Sequence, residues 1–162
     1  MAAVQLDEET SDLSDMVEKY PKPYAEKLMI VQENQITPMH FHWNKMEDII
    51  NRGGGELVIR VYNSNEDGSF ADTDVDIYMD GRHFTVKAGD TVRLKPGESI
   101  SIQTGMYHSF WAEGAKTLIG EVSKVNDDRV DNRFYEPTGR FPEIEEDEAP
   151  YRLLCNEYPK AK

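Results

Sequence analysis

Cysteine is almost missing from this chain: among 162 residues only Cys155 carries a thiol, so neither an internal disulfide nor a cysteine-based zinc cluster can form. Basic residues are few, 18 Lys and Arg against 31 Asp and Glu, and the net charge is -13. A nucleic-acid backbone would be repelled by that field, and no basic patch offsets it, so DNA and RNA are not expected partners. Long apolar runs are missing too. The longest cover a few residues, against the roughly 20 that span a bilayer, and no membrane association is expected. The first 20 residues hold Asp7, Glu8, Glu9, Asp12, Asp15 and Glu18, the wrong charge for a signal or transit peptide. The expectation is a soluble, cytoplasmic protein.

What is present reads as β structure. The length suits a single domain, 1–162, able to bury roughly 70% of its unfolded surface. A capping sequence at Thr10, Ser11 and Asp12 ahead of Leu13, Met16 and Val17 predicts a short helical N-terminal arm over 1–23, stopped by Pro21 and Pro23. Eight short runs then carry strand character: Lys27 to Val31, Leu57 to Tyr62, Val75 to Met79, His83 to Lys87, Thr91 to Leu94, Ser99 to Gln103, Ser109 to Trp111 and Lys116 to Val122. Turn residues separate them, with Asp80-Gly81 a tight hairpin signal and Lys95-Pro96-Gly97-Glu98 and Glu113-Gly114 further turns. Such spacing predicts an all-β closed barrel or jelly roll over 24–125. Lys45 to Arg52 is helix-like in composition and runs into Gly53-Gly54-Gly55, so it is read as a helical turn or a bent strand. The remainder, 126–162, is rich in charge, glycine and proline, and its aromatics Phe134, Tyr135, Phe141 and Tyr151 predict an ordered tail wrapping the barrel.

Three of the four histidines fall in two β-rich contexts, His40-Phe41-His42 and Gly105-Met106-Tyr107-His108. Residues two apart in a strand share a face, so His40 and His42 can present two imidazoles to one ion. Glu47 follows five residues later, and a third imidazole from a distant strand would complete three nitrogens and one carboxylate with a position left open, the arrangement of a catalytic rather than a structural metal. Glu56 is the competing carboxylate. His83, beside the Asp80-Gly81 turn, reads as a surface hairpin residue.

The pattern as a whole, His-x-His, four residues, Glu, then glycines, and much later Pro-Gly followed by Gly-x-x-His, resembles the two-part motif of the cupin family from Pro38 to Val122. The resemblance implies a double-stranded β-helix in which His40, His42, Glu47 and His108 hold a metal. Gln103 and Ala112 depart from it, standing where cupins commonly have proline and asparagine. These positions shape the strand and supply no ligand. Cupin barrels host dioxygenases, isomerases, decarboxylases and noncatalytic proteins, so the fold alone fixes no reaction.

A narrower resemblance does. His40 to Gly55, Gly120 to Asp128 and Arg140 to Glu148 are similar to the bacterial D-lyxose isomerases, and the similarity runs through nearly all of the chain after Tyr20. It implies a divalent-metal enzyme, manganese being the commonest ion and zinc, cobalt, iron or nickel alternatives. Such an enzyme interconverts D-lyxose with D-xylulose and D-mannose with D-fructose, and a homodimer is expected. The lysine near the sugar in that family matches Lys45.

Aldose–ketose isomerisation also needs a carboxylate to move a proton between neighbouring carbons. If Ala112 and Ala115 flank the Glu113-Gly114 turn, His108 lies opposite Ile119 and Glu121 shares their inward face, where a carboxylate is costly unless it has a partner or a role. Glu121 is therefore the expected base. Glu145, with Glu136 and Glu143, is the alternative from the tail. Trp43, Phe110 and Trp111 are candidates to wall the pocket, and Arg140 to hold either the tail or a sugar hydroxyl. Two competing readings are an iron dioxygenase on the same four ligands and a noncatalytic sugar-binding cupin. Lys45 together with an interior acid speaks for the isomerase.

Overall fold

Alternation of burial sets the strands. The computed structural model describes residues 23–138, 145 and 147–153. The expected helical arm lies outside the described residues, apart from Pro23. Contacts divide the chain into a unit of Lys22–Pro137 and a second of Met1–Pro21 with Thr138–Lys162. The described residues of the second unit form no strand or helix.

Within the first unit the strands, in chain order, are β1 (Tyr24–Val31), β2 (His40–His42), β3 (Glu47–Gly53), β4 (Glu56–Ser64), β5 (Phe70–Ala71) and β6 (Val75–Met79). There follow β7 (Arg82–Val86), β8 (Thr91–Leu94), β9 (Ser99–Ile102), β10 (Met106–Glu113), β11 (Thr117–Lys124), the helical turn α1 (Asp128–Asp131) and β12 (Asn132–Phe134). One sheet runs β1-β11-β3-β9-β6-β7; the other runs β12-β2-β10-β4-β5, with β8 also on β4. Every strand pair is antiparallel. Inward residues of both sheets, among them Ile49, Ile100, Ile102 and Ile119 from the first and Leu57, Ile59, Val61 and Leu94 from the second, form one apolar core. Each such side chain contributes about 1.5–3 kcal/mol on full burial.

Period two accounts for most of this. In β6, Val75, Ile77 and Met79 turn in while Asp76 and Tyr78 turn out. The hairpin to β7 is closed by Asp80 and Gly81, both at positive φ, 47° and 74°, the geometry of a two-residue loop that matches strand twist.

Three expectations are decided or corrected. Of the two readings of Lys45 to Arg52, the strand holds and the helical turn does not: Glu47, Ile49 and Asn51 alternate inward along β3, which pairs with β9 on one side and β11 on the other. Two ladders outweigh the helix propensity of Lys, Met and Glu. Gly54 and Gly55 are there for space, since a Cβ on Gly54, at φ 109°, would strike the Lys116 carbonyl and one on Gly55 the Glu113 carbonyl. Second, β10 and β11 are not paired as a hairpin. β10 lies between β4 and β2, and β11 between β1 and β3, so the Glu113-Gly114 turn carries the chain from one sheet to the other and His108 faces Val61 and His40 across its ladders. Third, the segment read as the start of a tail contributes a strand to the barrel: Asn132–Phe134 pairs with His42–His40.

Candidate metal centre and active site

β2 and β10 pair with His108 opposite His40, and His42 follows two residues along the same face. One ring nitrogen from each of His40, His42 and His108 lies within 4.8 Å of the other two. Each ring is fixed from behind through Nδ1–H. His40 donates to the Pro38 carbonyl at 2.8 Å, His42 to Oδ1 of Asn132 at 2.7 Å and His108 to the Met106 carbonyl at 3.0 Å. With the proton held on Nδ1, each Nε2 is left with a lone pair directed away from its anchor.

Glu47, the first residue of β3, enters the same space. Its Oε1 lies 3.0 Å from Nε2 of His108 and its Oε2 3.5 Å from Nε2 of His42. Yet neither Nε2 has a hydrogen-bond partner, although both are buried. Lone pair faces lone pair, an arrangement that calls for a cation between them. Three neutral imidazoles and a carboxylate form a donor set that fits a divalent ion, so these four residues could hold one. Burial, and then the neighbouring His108 and His42, hold the His40 imidazolium form well below its ordinary range, which keeps that ring in the ligand form. For Glu47 burial opposes ionisation. The charge of Lys45, whose Nζ lies 2.6 Å from its Oε2, favours it.

Lys45 sits beside this cluster at 3% side-chain exposure, with Nζ 2.6 Å from Oε2 of Glu47 and 3.0 Å from Oε1 of Glu121. Burial disfavours its charge, but the two carboxylates more than compensate and raise its pKa. Glu121 does face inward from β11, as its register opposite Ile49 requires, so the conclusion drawn from an incorrect hairpin holds for a different reason. Lys27 of β1, opposite Glu121 in the ladder, also binds Oε1 at 3.0 Å, so both lysine hydrogen bonds go to the same carboxylate oxygen.

Other expected residues fall elsewhere. Glu56 is bound to Arg93 at 2.7 Å and takes no part in the histidine cluster. His83 is exposed, bound to Asp76 and stacked on Tyr78, as a hairpin residue should be. Phe110 belongs to the core, not to a pocket wall, and Trp111 turns toward Arg60 and Glu113. Trp43 is half exposed, its ring edge-on to Phe41 at 4.5 Å. Glu136 is exposed, and Glu145 is exposed in the second unit; Glu143 and Arg140 lie outside the described residues.

Sequence reasoning missed the supports. Asp131, 2% exposed, accepts hydrogen bonds from the Asn44 amide at 2.7 Å and the Lys45 amide at 3.2 Å, and its carbonyl takes the Trp43 amide at 3.0 Å. It thereby pins the loop that delivers Lys45. Asn132 orients His42, and Phe134 lays its ring 5.4 Å from that of His40. No motif marks these residues, because they act through contacts spanning about ninety positions. Their polar setting reads as tail.

Comparison with known proteins follows the same lines. Residues 10–158 match the family model described as D-lyxose isomerase. A D-lyxose/D-mannose isomerase of Serratia proteamaculans is 53% identical over 141 residues, 86% of this chain and 62% of the relative. One of Escherichia coli O157:H7 is 52% identical over the same shares. The chain thus spans about three-fifths of the length of these relatives. Among solved structures, L-ribose isomerase of Cellulomonas parahominis superposes with a TM-score of 0.51 at 19% identity, covering 75% of this chain and 62% of the other. That of Geodermatophilus obscurus gives 0.52 at 17%, covering 70% and 58%. These two share the fold, a cupin-type barrel.

Proposed function

The chain belongs to the D-lyxose isomerase family, and from that premise we propose that it is an aldose–ketose isomerase interconverting D-lyxose with D-xylulose and D-mannose with D-fructose. The observation that carries this reading is Lys45, buried between Glu47 and Glu121 beside three imidazoles. A lysine joined to an interior carboxylate has work in moving a proton between adjacent carbons and none in activating dioxygen.

In this reading Glu121 is the shuttle. Its Oε2, the oxygen not used in the lysine hydrogen bonds, takes the proton from the carbon beside the carbonyl and returns it to the neighbouring carbon. Lys45 donates an N–H to a sugar oxygen as negative charge develops there, in a site dry enough for that hydrogen bond to count. Lys27 and Lys45 together fix the orientation of Glu121 by gripping its other oxygen. His40, His42, Glu47 and His108 would hold a divalent ion, manganese in our reading, which when bound would supply Lewis-acid stabilisation of the negative charge that develops on the sugar oxygens. Asp131 and Asn132 keep loop and imidazole in place while the sugar exchanges.

The test is direct. Manganese-loaded protein is incubated with D-lyxose in deuterated water and the products are read by NMR. The expected result is D-xylulose carrying solvent deuterium at the carbon that receives the proton. Unchanged D-lyxose under those conditions, with the metal bound, would overturn the proposal.

A further inference from the structure

Three buried side-chain atoms among the described residues lack any hydrogen-bond partner: Nε2 of His42, Nε2 of His108 and Oγ of Ser123. The first two belong to the metal centre. The third has no task so far. Ser123 is 5% exposed and occupies the inward face of β11, two residues beyond Glu121. Across the ladders it is opposite Glu47 on one side and Ala25 on the other. Opposed residues in an antiparallel pair share a face with their Cβ atoms about 5 Å apart, so the Ser123 side chain shares its face with Glu47, whose carboxylate meets the histidines, and with the small side chain of Ala25.

A buried hydroxyl without a partner is costly, and folded chains seldom keep one that nothing ever satisfies. The contrast along the same strand is instructive. Thr117, also inward on β11, accepts from the Gly55 amide at 3.0 Å and donates to the Ala115 carbonyl at 3.1 Å. The fold satisfies one inward hydroxyl of β11 completely and leaves the other open, and the open one is at the end where Lys45, Glu47 and Glu121 gather.

We propose that Ser123 is a sugar-binding residue, its hydroxyl forming a hydrogen bond with a hydroxyl of the open-chain substrate farther along the carbon chain than the two carbons between which the proton moves. This deepens the isomerase reading and rests on it for the substrate class. The placement follows from strand geometry: two residues along β11 set Ser123 about 7 Å from Glu121, beyond the reacting carbons but within the length of a pentose. A contact of that kind is made equally in the ground state and the transition state, so it bears on affinity rather than on the chemical step. Because the site is built to pair with a hydroxyl, it should reject sugars lacking one there more strongly than an apolar wall would.

The experiment compares the wild-type protein with Ser123→Ala, Ser123→Thr and Ser123→Val, all loaded with manganese. Threonine keeps the hydroxyl and valine matches its bulk without it. Three quantities are read: KM and kcat for D-lyxose, the Kd of D-arabitol as an unreactive open-chain analogue by calorimetry, and the Kd of manganese. Expected are rises of about tenfold in KM and in the D-arabitol Kd for the alanine and valine variants, with kcat and manganese affinity unchanged and recovery in the threonine variant. The thermal midpoint of Ser123→Ala should equal or exceed that of the wild type, since the hydroxyl has no partner within the fold. Unchanged sugar and alditol affinity in Ser123→Ala would overturn the proposal, as would a loss confined to manganese binding or to kcat, or wild-type protein that binds neither D-lyxose nor D-arabitol. Wild-type protein that binds D-arabitol without isomerising D-lyxose would remove the isomerase reading instead, and the D-arabitol Kd values would then decide for or against Ser123.

Discussion

The two ends of the barrel are built on the same strands and differ in what becomes of their buried polar groups. On β3 the inward residues run Glu47, Ile49, Asn51, and on β11 they run Ser123, Glu121, Ile119, Thr117 in the opposite direction. At the Asn51 end everything is satisfied: its Nδ2 donates to the carbonyls of Gly55 and Leu94, each at 2.9 Å, and its Oδ1 accepts from the Gly53 amide at 3.0 Å. At the Glu47 end charges are crowded together and three buried atoms have no partner at all. A buried polar group whose hydrogen bonds are all met by backbone is architecture. One that the fold leaves incomplete is held ready for something that is not part of the chain.

That division can be broken by experiment. Removing a proposed ligand should have the largest effect: if the proposed function holds, in Glu47→Ala or His108→Ala isomerisation should fall below detection and manganese should no longer co-elute on gel filtration, while the circular dichroism of the barrel is kept. Next is Glu121→Gln, where kcat should fall by about 10²–10⁴ with metal content unchanged, as for loss of a proton carrier. Asn132→Ala should weaken manganese binding by about 10–100-fold, the usual cost of removing the group behind a ligand, with much of the activity recovered at saturating metal. Smallest in activity is the opposite end, where Asn51→Ala should lower unfolding stability by about 1–3 kcal/mol in urea and leave kcat of the folded protein unchanged. If Asn51→Ala reduced kcat as Glu121→Gln does, or Glu121→Gln unfolded the barrel, the two ends would not be separable in this way.

Legibility in the sequence follows the range of the interactions. Strands such as Val75–Met79 and Thr91–Leu94 carry their own alternation and turn residues, so local reading places them at their observed bounds. β3 does not, because Lys45, Met46 and Glu47 favour a helix and only the ladders to β9 and β11, contributed by distant sequence, hold it extended. The hairpin inferred between β10 and β11 shows the same limit from the other side. Adjacent strands joined by a tight Glu-Gly turn can still belong to different sheets, since closing a two-sheet barrel sends the chain across. In the site, His40, His42, Glu47 and His108 stand out in the sequence because few residue types could hold a metal ion, and the fold brings the three imidazoles and the carboxylate together. Asp131, Asn132, Lys27 and Ser123 are ordinary residues until register brings them to the cluster.

The short strand β12 also has a consequence for how the protein is made. His42 waits for Asn132, 90 residues later, and the amide of Lys45 waits for Asp131, 86 residues later. Since a chain emerges from the ribosome N-terminus first, His42 and Lys45 are synthesised long before the residues that orient them. A nascent chain halted at Lys124 would already contain every strand from β1 to β11, yet His42 would lack its anchor and Lys45 its fixed loop. Final ordering of the histidine and lysine cluster is therefore a late event in biogenesis, set by the arrival of Asp131 and Asn132 rather than by completion of the core.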